Sequence, residues 1–208
     1  LVHGNFRNIE AIAKENGFKE VDGIVFDLGV SSHQINEPGR GFSFRFPTAP
    51  LDMRFDQTKG ESARDLINRL TQEELYEIFS RFGEEQHSYA ISQALVRARR
   101  IKPLETVGDV LACIGPGGNA RIFQSLRIAV NDEFGALKQA LDGSKRLLKS
   151  GGVLAVVCFH SLEDRIVKQF LKSHAFRTTA KQPVVASREE IQRNPRSRSA
   201  KLRFGTIV

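Results

Sequence analysis

Two short apolar runs, far apart in the chain, constrain its fold more than any other feature. The first, Asp22-Gly-Ile-Val-Phe-Asp-Leu-Gly-Val30, ends in Asp27 and Gly29; the second, Val153 to Phe159, is entered through Lys149-Ser-Gly-Gly152. A short apolar run bounded by turn residues reads as a strand buried on both faces. Each run follows a helical segment. Asn8 to Asn16 carries Ile9, Ile12 and Ala13 and stops at Gly17. A long helix from about Ala120 to Lys149 carries Phe123, Leu126, Val130, Phe134, Leu137, Leu141 and Leu148. Helix feeding strand, twice, implies a parallel α/β sheet.

Between the runs, residues 61–118 show three helical stripes and no strand pattern. Ala63, Leu66, Ile67 and Leu70 form one; Leu75, Ile78, Phe79 and Phe82 the next; Ala90, Ile91, Ala94, Leu95 and Ala98 the third. Ordinary core packing explains all three, so a small helical lobe inserted between two strands is expected, with Gly115-Pro-Gly-Gly118 as a hinge leaving it. After Phe159, Ser161-Leu-Glu-Asp164 has the spacing of a capping box opening a helix, with Leu162, Ile166 and Phe170 on one face. Leu202, Phe204 and Ile207 alternate as in a closing strand. A chain of 208 residues suits one domain carrying such an insertion.

The formal charge is +7, and its location matters more than its size. Leu1 to Phe159 holds 20 basic and 20 acidic residues, whereas His160 to Val208 holds 11 and 4. The excess therefore points the last quarter of the chain toward a phosphate-bearing partner. Two cysteines without C-x-x-C spacing argue against a disulfide framework or a cysteine zinc site, and fit a reducing compartment. The longest apolar run is too short for a membrane span. The first residue is Leu rather than Met, which leads us to expect a piece of a longer protein.

In an open parallel sheet, ligands sit at the carboxyl ends of strands, so Asp27 to Ser32 and His160 to Asp164 are the first places to look for chemistry. Asp27 alone reads equally as a turn residue, and His160 as a polar residue beside the capping box. Arg40-Gly-Phe-Ser-Phe-Arg45 interleaves arginines with aromatics, and Pro50-Leu-Asp-Met-Arg54 adds an acid and another arginine. That mixture suits base stacking and phosphate contact, or a solvated loop with packed phenylalanines. Arg193-Asn-Pro-Arg-Ser-Arg-Ser-Ala-Lys-Leu-Arg203 has no acid to balance it and suits a nucleic-acid backbone. The five histidines show no metal-ligand spacing, so no metal is expected.

Taken together and in order, these strings resemble the RsmH/MraW family of S-adenosylmethionine-dependent methyltransferases, which modify the exocyclic amine of a cytidine in small-subunit ribosomal RNA. The resemblance rests on Asp22 to Ser32, Arg40-Gly-Phe-Ser-Phe44, Pro50-Leu-Asp-Met-Arg54, Gly83-Glu-Glu85, Phe123-Gln-Ser-Leu-Arg-Ile128, Phe159-His-Ser-Leu-Glu-Asp-Arg165 and Asn194-Pro-Arg-Ser-Arg-Ser199, and spans nearly the whole chain.

It implies a class I Rossmann-like methyltransferase sheet, residues 1–55 and 119–208, with an inserted helical substrate-recognition domain, residues 56–118. It also implies cofactor contacts from Phe6, Asp27 and Gln34. Asp27 becomes the group that links cofactor and target amine, and His160 a secondary positioner or proton acceptor. Ser31, Ser32, Arg40, Phe42, Phe44, Asp52 and Arg54 would face the target base, and Arg196 and Arg198 the RNA backbone. The implied partner is small-subunit ribosomal RNA or an assembling subunit, in the cytoplasm, mitochondrial matrix or chloroplast stroma; a homodimer stays open.

The sequence departs from the family at His33, Ala49 and Phe82, where Pro, Gly and Tyr are usual. It also lacks the family's Asp-x-Thr-x-Gly-x-Gly-Gly-His turn and the acid that follows it. The rival expectation is a non-catalytic RNA-binding or assembly module without the cofactor half.

Overall fold

The computed structural model describes all residues except 116–118, 174–175 and 179–180. Most of the expected hinge, Gly115 to Gly118, thus lies outside the described residues. The chain divides into two compact units, Leu1–Gly29 with Phe134–Val208, and Val30–Glu133.

The first unit contains α1 (Ile9–Glu15), β1 (Val21–Asp27), α8 (Glu133–Leu147), β2 (Leu148–Cys158), α9 (Ser161–Ser173), β3 (Phe176–Arg177), β4 (Val184–Val185), α10 (Arg188–Arg193) and β5 (Lys201–Ile207). The intervening helices, α2 to α7, belong to the second unit. The strand order is β1-β2-β5-β3, with β4 also pairing β5. β1 and β2 are parallel, with Phe26 opposite Val156 and Asp27 opposite Val157. β5 runs antiparallel to β2 and places Arg203 opposite Val156. The sheet is therefore α/β and mixed, not purely parallel.

Neither apolar run is buried on both faces. Ile24 and Phe26 of β1, with Leu154, Val156 and Cys158 of β2, face one core with Leu137 and Leu141 of α8 and Val167 and Phe170 of α9. The alternate residue Val25 is 71% exposed. The helices of this unit pack on that one face, so period 2 decides which side chains they bury. The expected closing strand is β5, and the same parity orders its faces. Arg203 and Gly205 are its buried residues, and Leu202 and Phe204 are on the other face.

The second unit holds α2 (Ser32–Asn36), α3 (Ala63–Arg69), α4 (Gln72–Gly83), α5 (Ser88–Arg99), α6 (Val107–Ile114) and α7 (Asn119–Asn131). The three stripes become α3, α4 and α5; α6 is an additional helix that they did not indicate. Capping boxes open four of these helices, Ser31 with Gln34, Ser62 with Asp65, Thr71 with Glu74, and Thr106 with Asp109. The expected helix over 120–149 is two helices, because Asp132 adopts a left-handed φ of 47° between α7 and α8.

Ala49, Leu51 and Met53 from the loop and Ile122, Phe123 and Leu126 from α7 pack into one core with α3 to α6. Backbone bonds stitch that loop down, with Leu51 N–H donating to Glu105 at 3.0 Å and Ala63 N–H donating to Asp52 at 2.8 Å.

Candidate functional site

In the first unit the two parallel strands end side by side, and Leu28 N–H donates to Val157 at 3.2 Å just beyond their last pair. Gly29 then turns with φ 93°, a conformation other residues adopt only under strain. A side-chain carbon there would lie 3.7 Å from Phe159, so the turn passes close to the end of β2.

Asp27 is exposed at this end, and among the described residues no hydrogen bond or ion pair engages its carboxylate. Phe6 sits edge-on to Phe26 at 5.8 Å and is 36% exposed. Two residues implied for the cofactor, one aromatic and one anionic, thus share the carboxyl end of β1.

His160 is the N-cap of α9. Glu163 N–H donates to His160 Nδ1 at 3.4 Å, and Glu163 Oε2 accepts the N–H groups of Phe159 at 2.9 Å and His160 at 3.3 Å. This is a capping box one residue earlier than the Ser161-to-Asp164 spacing indicated, with histidine in the usual place of serine. The accepting Nδ1 puts the imidazole proton on Nε2. That nitrogen lies 3.1 Å from Glu163 Oε1 but out of line, so it is buried without a hydrogen bond. The ring leans on Phe134 at 5.7 Å.

Asp164, released from the box, pairs with Arg203 through contacts of 2.6 and 3.1 Å and lies 3.9 Å from Lys201. Two of the tail's five cations are therefore directed at Asp164, whereas Arg196 and Arg198 are exposed.

The second unit carries the remaining implied residues. Ser31 caps α2: its Oγ accepts from Gln34 N–H at 3.2 Å and Gln34 Oε1 accepts from Ser31 N–H at 2.9 Å, leaving the Gln34 amide nitrogen outside the box. Ser32 is exposed beside it.

Arg40 reaches inward, donating from Nη2 to the carbonyls of Arg54 at 2.8 Å and Phe55 at 3.1 Å, and its Nε is buried without a partner. Its guanidinium lies 5.6 Å over Phe42, which also stacks on Phe55 at 5.8 Å. Asp52 and Arg54 form a two-point pair, both contacts at 2.9 Å. Despite the opposing effect of burial, the hydrogen bonds from Arg54 hold the Asp52 carboxyl below its usual range.

The arginines and acid of this loop thus bind the loop itself, through carbonyls that a one-dimensional pattern cannot reveal. Phe44 differs, being 43% exposed and touching Phe123 edge-on at 6.1 Å. Gly41, φ 70°, lies where a side-chain carbon would strike the Pro50 carbonyl and come within 2.9 Å of Asp52 N. Asn131 was missed from sequence: it donates to Met53 O at 2.7 Å and accepts from Phe55 N at 2.7 Å. Nothing in the string Val130-Asn-Asp132 signals a role so distant in sequence.

Among the described residues, no group of three His, Cys, Asp or Glu side chains is placed to hold a metal ion, and no helix is long and apolar enough to cross a membrane.

The profile of the MraW methylase family matches residues 1–207. The chain is 44% identical to the ribosomal RNA small subunit methyltransferase H of Thermomicrobium roseum, with 97% of this chain and 70% of that protein aligned. It is 46% identical to the protein of the same name from Deinococcus deserti, over 100% of this chain and 72% of that one. The protein of that name from Deinococcus radiodurans is 46% identical, over 99% and 68%. With strand ends, loop and helical unit all falling inside that match, the chain belongs to the MraW methylase family.

Proposed function

We propose that this chain transfers a methyl group from S-adenosylmethionine to the exocyclic amine of a cytidine in small-subunit ribosomal RNA, free or in an assembling subunit. The observation that carries this reading is the family match along residues 1–207, joined to an exposed carboxylate, unpaired among the described residues, at the end of a parallel strand pair. The family match speaks against the rival, a module that binds RNA without turnover. The rRNA substrate puts the chain where ribosomes assemble, the cytoplasm or an organelle interior.

The residues of the first unit suit the cofactor: the open ring of Phe6 offers an apolar face and Asp27 an anion for a cationic or hydroxyl-bearing ligand. In the second unit, the Gln34 amide nitrogen lies outside its capping box and is available as a donor among the described residues. When bound, S-adenosylmethionine supplies an electrophilic methyl group.

The amine of cytosine is a weak nucleophile because its lone pair is delocalised, so rate must come from alignment and from acceptors for the amine hydrogens. Asp27 is that acceptor. His160, its Nδ1 occupied and its Nε2 protonated, acts as a positioner rather than as a base. A base in a stacked helix cannot reach such a site, so the target is splayed out. Within the second unit, Phe44 has an open ring face on which a base can stack, whereas Phe42 is engaged by Phe55 and Arg40.

The test is Asp27→Asn, assayed by methyl transfer to small-subunit RNA and digestion to nucleosides. Loss of N4-methylcytidine with unchanged thermal stability is expected. Full turnover by the variant would remove Asp27 from the mechanism, and absence of N4-methylcytidine from the unaltered chain's product would overturn the reading.

A further inference from the structure

Gly83-Glu-Glu85 and Cys113 have no part in the site above, yet they meet in the second unit. A cavity of about 790 Å³ lies there among the beginnings of α5 and α7 and the end of α6. Ala90, Ala94 and Cys113 give it an apolar side, and Glu85 and Arg121 a polar one. The Glu85 side chain is 5% exposed. One carboxylate oxygen accepts His87 N–H at 3.0 Å; the other stands 3.9 Å from the Arg121 guanidinium, with capacity for a further donor. An acceptor beside a donor, above an apolar wall, complements a nucleobase edge that sets a donor next to an acceptor.

Beyond the cavity, the end of α5 is cationic. Ala90, Ala94 and Arg97 recur at helical spacing and share one face. Of the cations that follow, Arg99 turns inward to the Ile67 carbonyl and Lys102 lies 3.5 Å from Asp109. Arg97 and Arg100 are exposed, and among the described residues no acid pairs with them. Ile101, 90% exposed, stands between Arg100 and Lys102. Burial depresses the Arg99 pKa, and the Arg100 charge lowers it further, a sign of uncompensated positive potential here. This concentration was hidden by the even charge balance of residues 1–159.

We propose that α5 docks single-stranded RNA: a base flanking the methylated one enters the cavity against Glu85 and Arg121, and adjoining phosphates lie on Arg97 and Arg100. The proposal rests on the rRNA-methylating reading above.

Cys113 reports on it directly. The other cysteine, Cys158, is buried and its thiol is pushed up to about 12, so a maleimide reads Cys113. Oligocytidine and an abasic ribose–phosphate oligomer of equal length are titrated into the 208-residue chain. Oligocytidine is expected to slow Cys113 labelling more than the abasic oligomer. The double variant Arg97→Glu with Arg100→Glu, both sites exposed, is expected to flatten log affinity against log salt by about 1.4, two contacts at about 0.7 each. RNA binding that leaves Cys113 reactivity unchanged overturns the base cavity, and an unchanged slope overturns the phosphate contacts. Either result with methyl transfer intact sinks this inference alone, whereas failure to bind RNA at all overturns it together with the rRNA reading.

Discussion

Arg203 and Asp164 join β5 to the first turn of α9 through a two-point contact, Nε to Oδ1 at 2.6 Å and Nη2 to Oδ2 at 3.1 Å. Arg203 stands opposite Val156, on the helix-covered face of the sheet, with its side chain 9% exposed. Removing one partner of such a pair leaves the other charge desolvated and alone. Asp164→Ala is expected to lower unfolding free energy in urea by about 3 kcal/mol, whereas replacing both residues by leucine recovers most of that loss. A single variant as stable as the parent would show that the pair contributes nothing.

Acid is expected to loosen the start of α6. Asp109 is held down to about 2, chiefly by the Thr106 hydroxyl at 2.8 Å and also by the N–H groups of Thr106 and Glu105, against a smaller effect of burial. Its folded value lies below the unfolded one, so its contribution is present above about pH 4 and is lost as pH falls toward 2. Urea unfolding of the parent and of Asp109→Asn is expected to differ by about 2 kcal/mol at pH 6 and to converge by pH 2. A constant difference across that range would contradict the assignment.

Glu163 bridges the end of β2 and the start of α9, its side chain 4% exposed. Glu163→Ala would orphan the N–H groups of Phe159 and His160, a loss of about 1–3 kcal/mol for each group left buried. Glu163→Gln keeps one acceptor oxygen and is expected to melt between the alanine variant and the parent. An alanine variant melting with the parent would argue that water replaces the carboxylate.

Gly41 holds the Arg40-to-Arg54 loop in a conformation that excludes a side chain. Gly41→Ala meets backbone at Pro50 and Asp52 and carries left-handed strain of about 1–2 kcal/mol besides. New protease cuts between residues 40 and 60 are expected, with α4 and α5 still protected. An unchanged digestion pattern would show that the loop has another route.

The apolar runs made β1 and β2 legible because burial of alternate residues needs only local pattern. β5 was harder. Its visible alternation, Leu202 and Phe204, points away from the helices, because Asp164 on α9 lets an arginine occupy the buried side. The stripe through Phe123 to Leu148 continues across Asp132, so one backbone angle, not a change of composition, separates α7 from α8.

At the site, chain position was enough to suggest Asp27 and His160 as strand-end groups. The duties of Arg40 and Arg54 were not legible: their partners are carbonyls of Arg54, Phe55 and Gly60 and the Asp52 carboxylate, brought near only by the folded loop.

β5, last of the strands in chain order, lies inside the sheet with β2 on one side and β3 and β4 on the other. During translation, therefore, Ile24 and Phe26 emerge before residues 148–207, whose strands must pair before their sheet can close. The core of residues 49–126 is complete well before that. Nascent chains stalled once residue 133 has cleared the tunnel are expected to protect α3 to α7 from protease while β1 is still cut. Synthesis thus delivers the RNA-docking helix α5 in folded form before the strand ends that carry Asp27 and His160 are joined.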